Sequence, residues 1–246
     1  MTGTNELALI TTPIQIFVGE TLLGTATGFF FTTADESQSF LITNRRVVIE
    51  EKEQKFPDHL VLRLHTSSAD LKQSSTYTVP LHREIKASPP HIKEKLWHEV
   101  DPTIDVVAIE IKTEDLKPFV LKAFSREHLI PSDVCLSLGD PLVVIGYPLG
   151  FSDQIFDLPV AREGTFASVF PIPFQGQRFF LVDARLHPGT SGSPVITRPS
   201  NWLVVNGTPK LAQNPVSYLV GVQAGSAGDL QLNAVWFSDI ILSLIK

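Results

Sequence analysis

The stretch His187-Pro188-Gly189-Thr190-Ser191-Gly192-Ser193-Pro194-Val195 holds residue types that could do covalent chemistry. Ser191 offers a hydroxyl nucleophile, and glycines at 189 and 192 allow backbone turns that a Cβ would forbid. Such a turn can aim the N–H groups of Gly189 and Ser191 at one point, which is what a developing oxyanion needs. A plain Gly/Ser/Pro surface turn has the same composition. The loop gains chemical meaning only if a general base and an acid that orients it stand elsewhere in the chain.

Two upstream stretches supply candidates. Gly24-Thr25-Ala26-Thr27-Gly28-Phe29-Phe30-Phe31 is followed by Leu41-Ile42-Thr43-Asn44-Arg45-Arg46-Val47-Val48, and Thr103-Ile104-Asp105-Val106-Val107-Ala108 comes later. With Asp183-Ala184-Arg185-Leu186 leading into the serine loop, and Tyr147-Pro148 between, these resemble the bacterial trypsin-like serine peptidases. This is the protease-domain type also used by the HtrA heat-shock proteases. The resemblance runs from about residue 13 to the end. It implies an all-β, chymotrypsin-like double β-barrel with the active site between the barrels. No appended PDZ-type domain is expected, so a partner would use the protease domain's own surface.

Carried over residue by residue, Asp105 matches the orienting acid and Ser191 the nucleophile, with Gly189 and Ser191 as the oxyanion hole. The family's first motif reads Thr-Asn-x-His-Val, and here the histidine position is Arg46. A guanidinium stays protonated and has no acceptor lone pair, so it cannot serve as a general base. Arg46 has two readings: an ion pair with Asp105 that keeps the cleft intact, or a positive charge that meets a ligand carboxylate or blocks the cleft. Whether it is the natural residue or a replacement, the chemistry is the same. His187 is the histidine nearest Ser191 in sequence, but in the family that position supports the pocket wall. The seven histidines (His59, His65, His82, His91, His98, His128 and His187) form no metal-ligand signature, and no metal or cofactor is expected. Thr190 stands where trypsin zymogens carry the Asp that pairs with a new N-terminus, so activation by such cleavage is not expected. The resemblance places Arg185 and Leu186 at the base of the specificity pocket. It gives Gln223, Ala224, Gly225 and Ser226 the role of pairing with substrate as an added strand.

The elements that must position these residues are mostly strands. Alternating or apolar β-rich runs cover Ile14–Val18, Leu22–Thr32, Ser39–Thr43, Leu60–Leu64, Thr76–Val79 and Asp105–Ile111. Past a mixed-charge connector at Lys112–Pro131 they resume at Leu142–Tyr147, Val160–Val169, Phe179–Asp183, Val195–Thr197, Leu203–Val205 and Tyr218–Gln223. The spacing of Val235, Phe237, Ile240, Ile241, Leu244 and Ile245 predicts a C-terminal helix over Val235–Ile245. Ser88–Glu99, with Pro89-Pro90, reads as an exposed loop, and Asn206-Gly207 as a hairpin turn. The expected organisation is an N-terminal barrel over 1–130 and a C-terminal barrel with the helix over 131–246, together one protease domain.

Composition bounds the rest. The 246 residues are 43% hydrophobic and 19% charged, which suits a globular core. A net charge of −6 disfavours a general nucleic-acid binder, and no apolar run approaches a membrane span. Cys135 is the only cysteine and is expected to be a small buried hydrophobe. It excludes an intrachain disulfide, and the N-terminus shows no signal-peptide pattern. Together these lead to the expectation of a reducing, cytoplasmic setting. The functional expectation is a trypsin-like serine endopeptidase whose hydrolysis is strongly impaired by Arg46. The alternative is an inactive pseudoprotease that binds peptides or proteins.

Overall fold

The computed structural model describes residues 4–49, 56–85, 92–226 and 230–245. Helix α1 (Thr4–Ile10) leads into β1 (Thr11–Val18), β2 (Thr21–Thr32) and β3 (Ser39–Thr43). A single helical turn, α2 (Arg45–Val48), precedes β4 (His59–His65), β5 (Ser74–Pro80), β6 (His82–Ile85), β7 (Ile92–Lys95) and β8 (Val107–Ile111). After α3 (Thr113–Leu116) come β9 (Pro141–Gly146), β10 (Val160–Phe166), β11 (Phe179–Asp183), β12 (Pro194–Thr197), β13 (Ser200–Val205) and β14 (Thr208–Val216). The chain closes with β15 (Leu219–Ser226), β16 (Leu232–Phe237) and α4 (Ile240–Leu244).

Two sheets dominate. Strands β10-β11-β16-β15-β12-β9 form a closed barrel. The N-terminal sheet is six-stranded in the order β5-β4-β1-β2-β3-β8 and curls without its outer strands meeting. The segment after β7 spans that gap: the Leu96 N–H donates to the Leu81 carbonyl at 2.9 Å, and His98 and Ala108 exchange backbone bonds of 2.7 and 3.1 Å. The result is a half-barrel beside a full barrel, which is the expected double-barrel architecture with one member open.

Strands buried on both faces explain why several runs lack polar alternation. Phe30 points into the half-barrel core with Ile14, Leu41, Leu60 and Leu62. Its neighbours Phe29 and Phe31 point the other way, into a second core shared by the two sheets. On the barrel side the same two-residue period divides Val195 and Val235, inside the barrel, from Ile196 and Trp236, at the seam. Ile240, Ile241 and Leu244 of α4 pack onto that shared core. The cleft therefore lies over an apolar seam built from both halves.

Four expectations needed correction or confirmation. The predicted C-terminal helix starts later, because Val235 and Phe237 alternate along β16 and only Ile240–Leu244 is helical. Ser88–Glu99 is not wholly a loop, since Ile92–Lys95 pairs with β6; residues 88–91 lie outside the described residues. Cys135 is exposed, not buried: its segment runs over the outside of the barrel, where its N–H donates to the Val204 carbonyl at 2.8 Å. Asn206 and Gly207 both take positive φ, 50° and 74°, in the turn between β13 and β14, as an Asn-Gly hairpin turn requires. Strand β14 itself had no strand signal, because it carries Pro209 and Pro215. It tolerates them in a two-stranded ribbon with free edges.

Candidate active site

From the N-terminal half, α2 turns away at the end of β3, and Asp105 lies just before β8. Asn44 is fully buried and ties these segments together, donating from Nδ2 to the Asp105 carbonyl at 2.8 Å. The Arg46 N–H donates to Asp105 Oδ1 at 3.0 Å, and its Nη1 donates to Asp105 Oδ2. Its other terminal nitrogen, Nη2, donates to Asn44 Oδ1 at 3.0 Å and to Ser191 Oγ at 2.7 Å. Arg46 thus stands between Asp105 and Ser191, with side-chain exposures of 34% for Arg46 and 23% for Asp105.

From the C-terminal half comes the loop before β12. Thr190 holds it with its N–H and Oγ1, which donate to the His187 carbonyl at 3.2 and 2.8 Å. The Ser193 N–H donates to the Thr190 carbonyl at 3.0 Å, and the Gly192 N–H to the Gln223 carbonyl at 2.9 Å. Gly189 and Gly192 adopt φ of +92° and +85°, a region that favours glycine. A Cβ on Gly192 would fall 2.2 Å from the Thr27 carbonyl oxygen, and one on Gly189 would fall 2.7 Å from both Leu149 N and Tyr147 O.

Thr27 of β2 joins the halves beneath this loop. Its N–H donates to the Ser191 carbonyl at 2.9 Å. Its Oγ1 donates to the Gly189 carbonyl at 2.8 Å and accepts from the Tyr147 N–H at 3.0 Å. The Tyr147 hydroxyl, fixed to the Asp157 carbonyl at 3.0 Å, is pushed well above its usual pKa by burial and then by the Asp157 charge. It remains neutral packing under the loop.

The Pro188 carbonyl accepts from the Leu149 N–H at 2.6 Å. A trans peptide directs its N–H opposite to its carbonyl, so the Gly189 N–H points away from Leu149. Among the described residues neither the Gly189 nor the Ser191 N–H donates a hydrogen bond. The Ser191 hydroxyl accepts from Arg46, and among the described residues Oγ has no other hydrogen-bond partner. His187 makes no bond to Ser191 Oγ; its Nδ1 is buried without a partner among the described residues.

The remaining residues singled out in the sequence are less tightly gathered. Arg185 is exposed, and Leu186 packs against the barrel core; neither bonds to the Arg46–Asp105–Ser191 group. Gln223 is buried and bridges the loop through its N–H, which donates to the Ser193 carbonyl at 2.9 Å. Strand β12 pairs with β15 only as far as Val222, while β16 pairs with the opposite edge through Ser226. On that side no described strand pairs with Ala224 or Gly225. Gly225 lies over Arg46, with an added Cβ 3.6 Å from Nη2. Three further residues shape the site: Asn44, Thr27 and Leu149. Asn44 and Thr27 lie inside the quoted motifs, whereas nothing in the sequence marks Leu149. Among the described residues no cluster of His, Cys, Asp and Glu could hold a metal, and no helix is long and apolar enough to cross a membrane.

A closed barrel and a half-barrel, with Asp105 and Ser191 on either side of Arg46, define a chymotrypsin-type fold. The chain belongs to the trypsin-like peptidase domain family, whose model matches residues 26–205. A relative from Synechocystis sp., HhoB, named as a serine protease, is 23% identical over 124 residues. That match spans 50% of this chain but only 28% of the relative. Among solved structures, the HtrA-type protease AlgW with a tripeptide is 14% identical with a TM-score of 0.56, covering 98% of this chain and 60% of that one. The serine endoprotease from Yersinia pestis is 13% identical (TM-score 0.54, 99% and 65% covered). An inactive form of Rv3671c from M. tuberculosis H37Rv is 15% identical (TM-score 0.52, 98% and 86% covered). At these identities the structural likeness speaks for the fold alone.

Proposed function

We propose that this chain is a trypsin-like peptidase domain that does not hydrolyse peptide bonds and keeps its cleft as a peptide-binding site. The observation that carries this is the 2.7 Å hydrogen bond from Arg46 Nη2 to Ser191 Oγ. In a working triad the serine hydroxyl donates to a base that then takes its proton. Here the direction is reversed: Oγ accepts from a cation that has no lone pair to offer. A lone pair held by a guanidinium is a weaker nucleophile, and loss of the base costs triad enzymes on the order of a million-fold in kcat. Asp105, which would orient a histidine, is occupied by Arg46.

Retained binding is supported by the edge at Ala224 and Gly225, which no described strand covers on the β12 side and where an extended peptide can add as a strand. The AlgW structure, of the same fold, holds a tripeptide. The test is labelling by a serine-reactive fluorophosphonate and cleavage of a mixed peptide library. The unmodified chain is expected to show neither above background. Turnover by the unmodified chain that Ser191→Ala abolishes would overturn this reading.

A further inference from the structure

The loop after β9, residues 147–158, holds large apolar side chains where folding alone gives them nothing to do. Leu149, Phe151 and Ile155 are 66%, 65% and 61% exposed. Leu149 also sits at φ 55° and ψ 23°, a left-handed conformation that is costly for a residue with a Cβ and that Gly or Asn adopts far more readily. A leucine there bears the backbone strain and gains no burial in return. Strained positions of this kind cluster where ligands are held.

The loop is not free to tuck these side chains away. Near its start the Leu149 N–H donates to the Pro188 carbonyl at 2.6 Å, three residues before Ser191. An added Cβ on Gly150 would stand 3.6 Å from Thr25 Cγ2 of β2, two residues before the Thr27 N–H that holds the Ser191 carbonyl. Further on, Asp153 Oδ1 accepts from the Ile155 and Phe156 N–H groups at 2.9 and 2.8 Å. At the far end Asp157 Oδ2 accepts from Arg63 Nε at 2.9 Å and from Ser74 Oγ at 2.7 Å. The loop thus joins the two walls that meet beneath Ser191 and keeps its apolar side chains at the surface beside them.

Resting on the peptide-binding reading above, we propose that this loop selects which peptides the cleft holds. Leu149 and Phe151 receive an apolar side chain (Leu, Ile, Val, Met or Phe) on the stretch of peptide that passes Ser191 on the Gly189 side. The occupant is the cleft's own ligand because Leu149 belongs to the frame of the serine loop: an added Cβ on Gly189 would fall 2.7 Å from Leu149 N. Gly225 stands over the Arg46 nitrogen that reaches Ser191 Oγ, and Leu149 bonds three residues before that serine. An octapeptide, at about 3.3 Å per residue, is long enough to touch both. Residues 147–152 include no Asp, Glu, Lys, Arg or His, so the contact works by apolar burial. One side chain covered in this way changes affinity by about tenfold.

The experiment uses the unmodified full chain, immobilised, and a random octapeptide library with acetylated and amidated ends. Retained peptides are sequenced by mass spectrometry, and the best binder is remade with each apolar residue in turn replaced by Ala. One such replacement is expected to weaken binding about tenfold on the unmodified chain and to change little on the Leu149→Asn/Phe151→Ser protein, or on Leu149→Asn alone should the double variant not fold. Leu149→Asn is also expected to keep or raise the thermal midpoint while lowering affinity, a combination that a merely structural role would not give. Retention without apolar enrichment, or an Ala replacement with the same effect on both proteins, would overturn the selection and leave peptide binding standing. So would concentration-dependent self-association of the unmodified chain that Leu149→Asn abolishes, since the loop would then be covered by a second copy. Retention of no peptide would overturn both.

Discussion

The two halves of the cleft differ in what they retain. The C-terminal barrel is closed, and its loop holds Ser191 in a frame in which glycines occupy positive φ and two N–H groups donate to no described residue. The N-terminal half-barrel keeps the frame, with Asn44 tying Asp105 to α2, but sets the Arg46 guanidinium between Asp105 and Ser191. Beyond the open edge of the half-barrel, the difference at the cleft lies in one side chain, Arg46. On the proposed reading, one side chain disarms a site whose frame is kept.

The largest effect should come from restoring the missing side of the comparison. Arg46→His is expected to raise fluorophosphonate labelling and peptide cleavage by about 10³-fold or more, part of the roughly million-fold that a triad base contributes. No gain would mean that the N-terminal half has lost more than one residue. Next comes the seam itself. Gly192→Ala would drive a Cβ to 2.2 Å from the Thr27 carbonyl and 2.4 Å from Thr43 Oγ1 at a φ of +85°. It should lower unfolding stability by about 3 kcal/mol or more, measured by urea denaturation. Thr27→Val removes the hydroxyl that joins the Gly189 carbonyl to the Tyr147 N–H, leaving both buried groups short of a partner. A loss of about 2–4 kcal/mol is expected, with Thr27→Ser recovering much of it.

The smallest effect belongs to the half-barrel alone. His65, at the end of β4, is buried and its pKa is lowered, chiefly by desolvation. The unfolded chain then binds more protons near pH 6.5, so stability is complete above that value and falls as pH drops toward the lowered folded pKa. The urea midpoint should decline below pH 6.5, and His65→Phe should flatten that decline. The closed barrel, which lacks such a buried histidine among its described strands, should not share it.

Much of this frame was legible in the sequence because burial on one or both faces writes itself as a period of two. The core strands and the Asn206-Gly207 turn could be read locally. Asp105 and Ser191 could be paired through the motifs that contain them. What failed to show has a common physical origin in contacts between distant segments. Val235 and Phe237 looked helical because a strand and a helix with adjacent apolar faces run together at the C-terminus. Cys135 looked like core because burial of a small residue depends on which side its segment crosses. Thr27, an ordinary threonine in a β-rich run, meets Gly189 across 162 positions of sequence. The Leu149 bond to Pro188 is made by the backbone, and so its residue type carries no sign of it.

The way Thr27 grips the serine loop bears on how such a chain evolves. Gly192 is needed for the two halves to fit, and Gly189 and Thr190 for the loop's own shape, whether or not any bond is ever cut. Selection for folding alone would preserve the loop's signature long after turnover had ceased. Residue 46, a third exposed at the rim of the cleft, is under no such packing restraint and is where a lineage could exchange one chemistry for another. On the proposed reading, the nucleophile motif in this chain records architecture, and the residue at position 46 decides whether that architecture cuts.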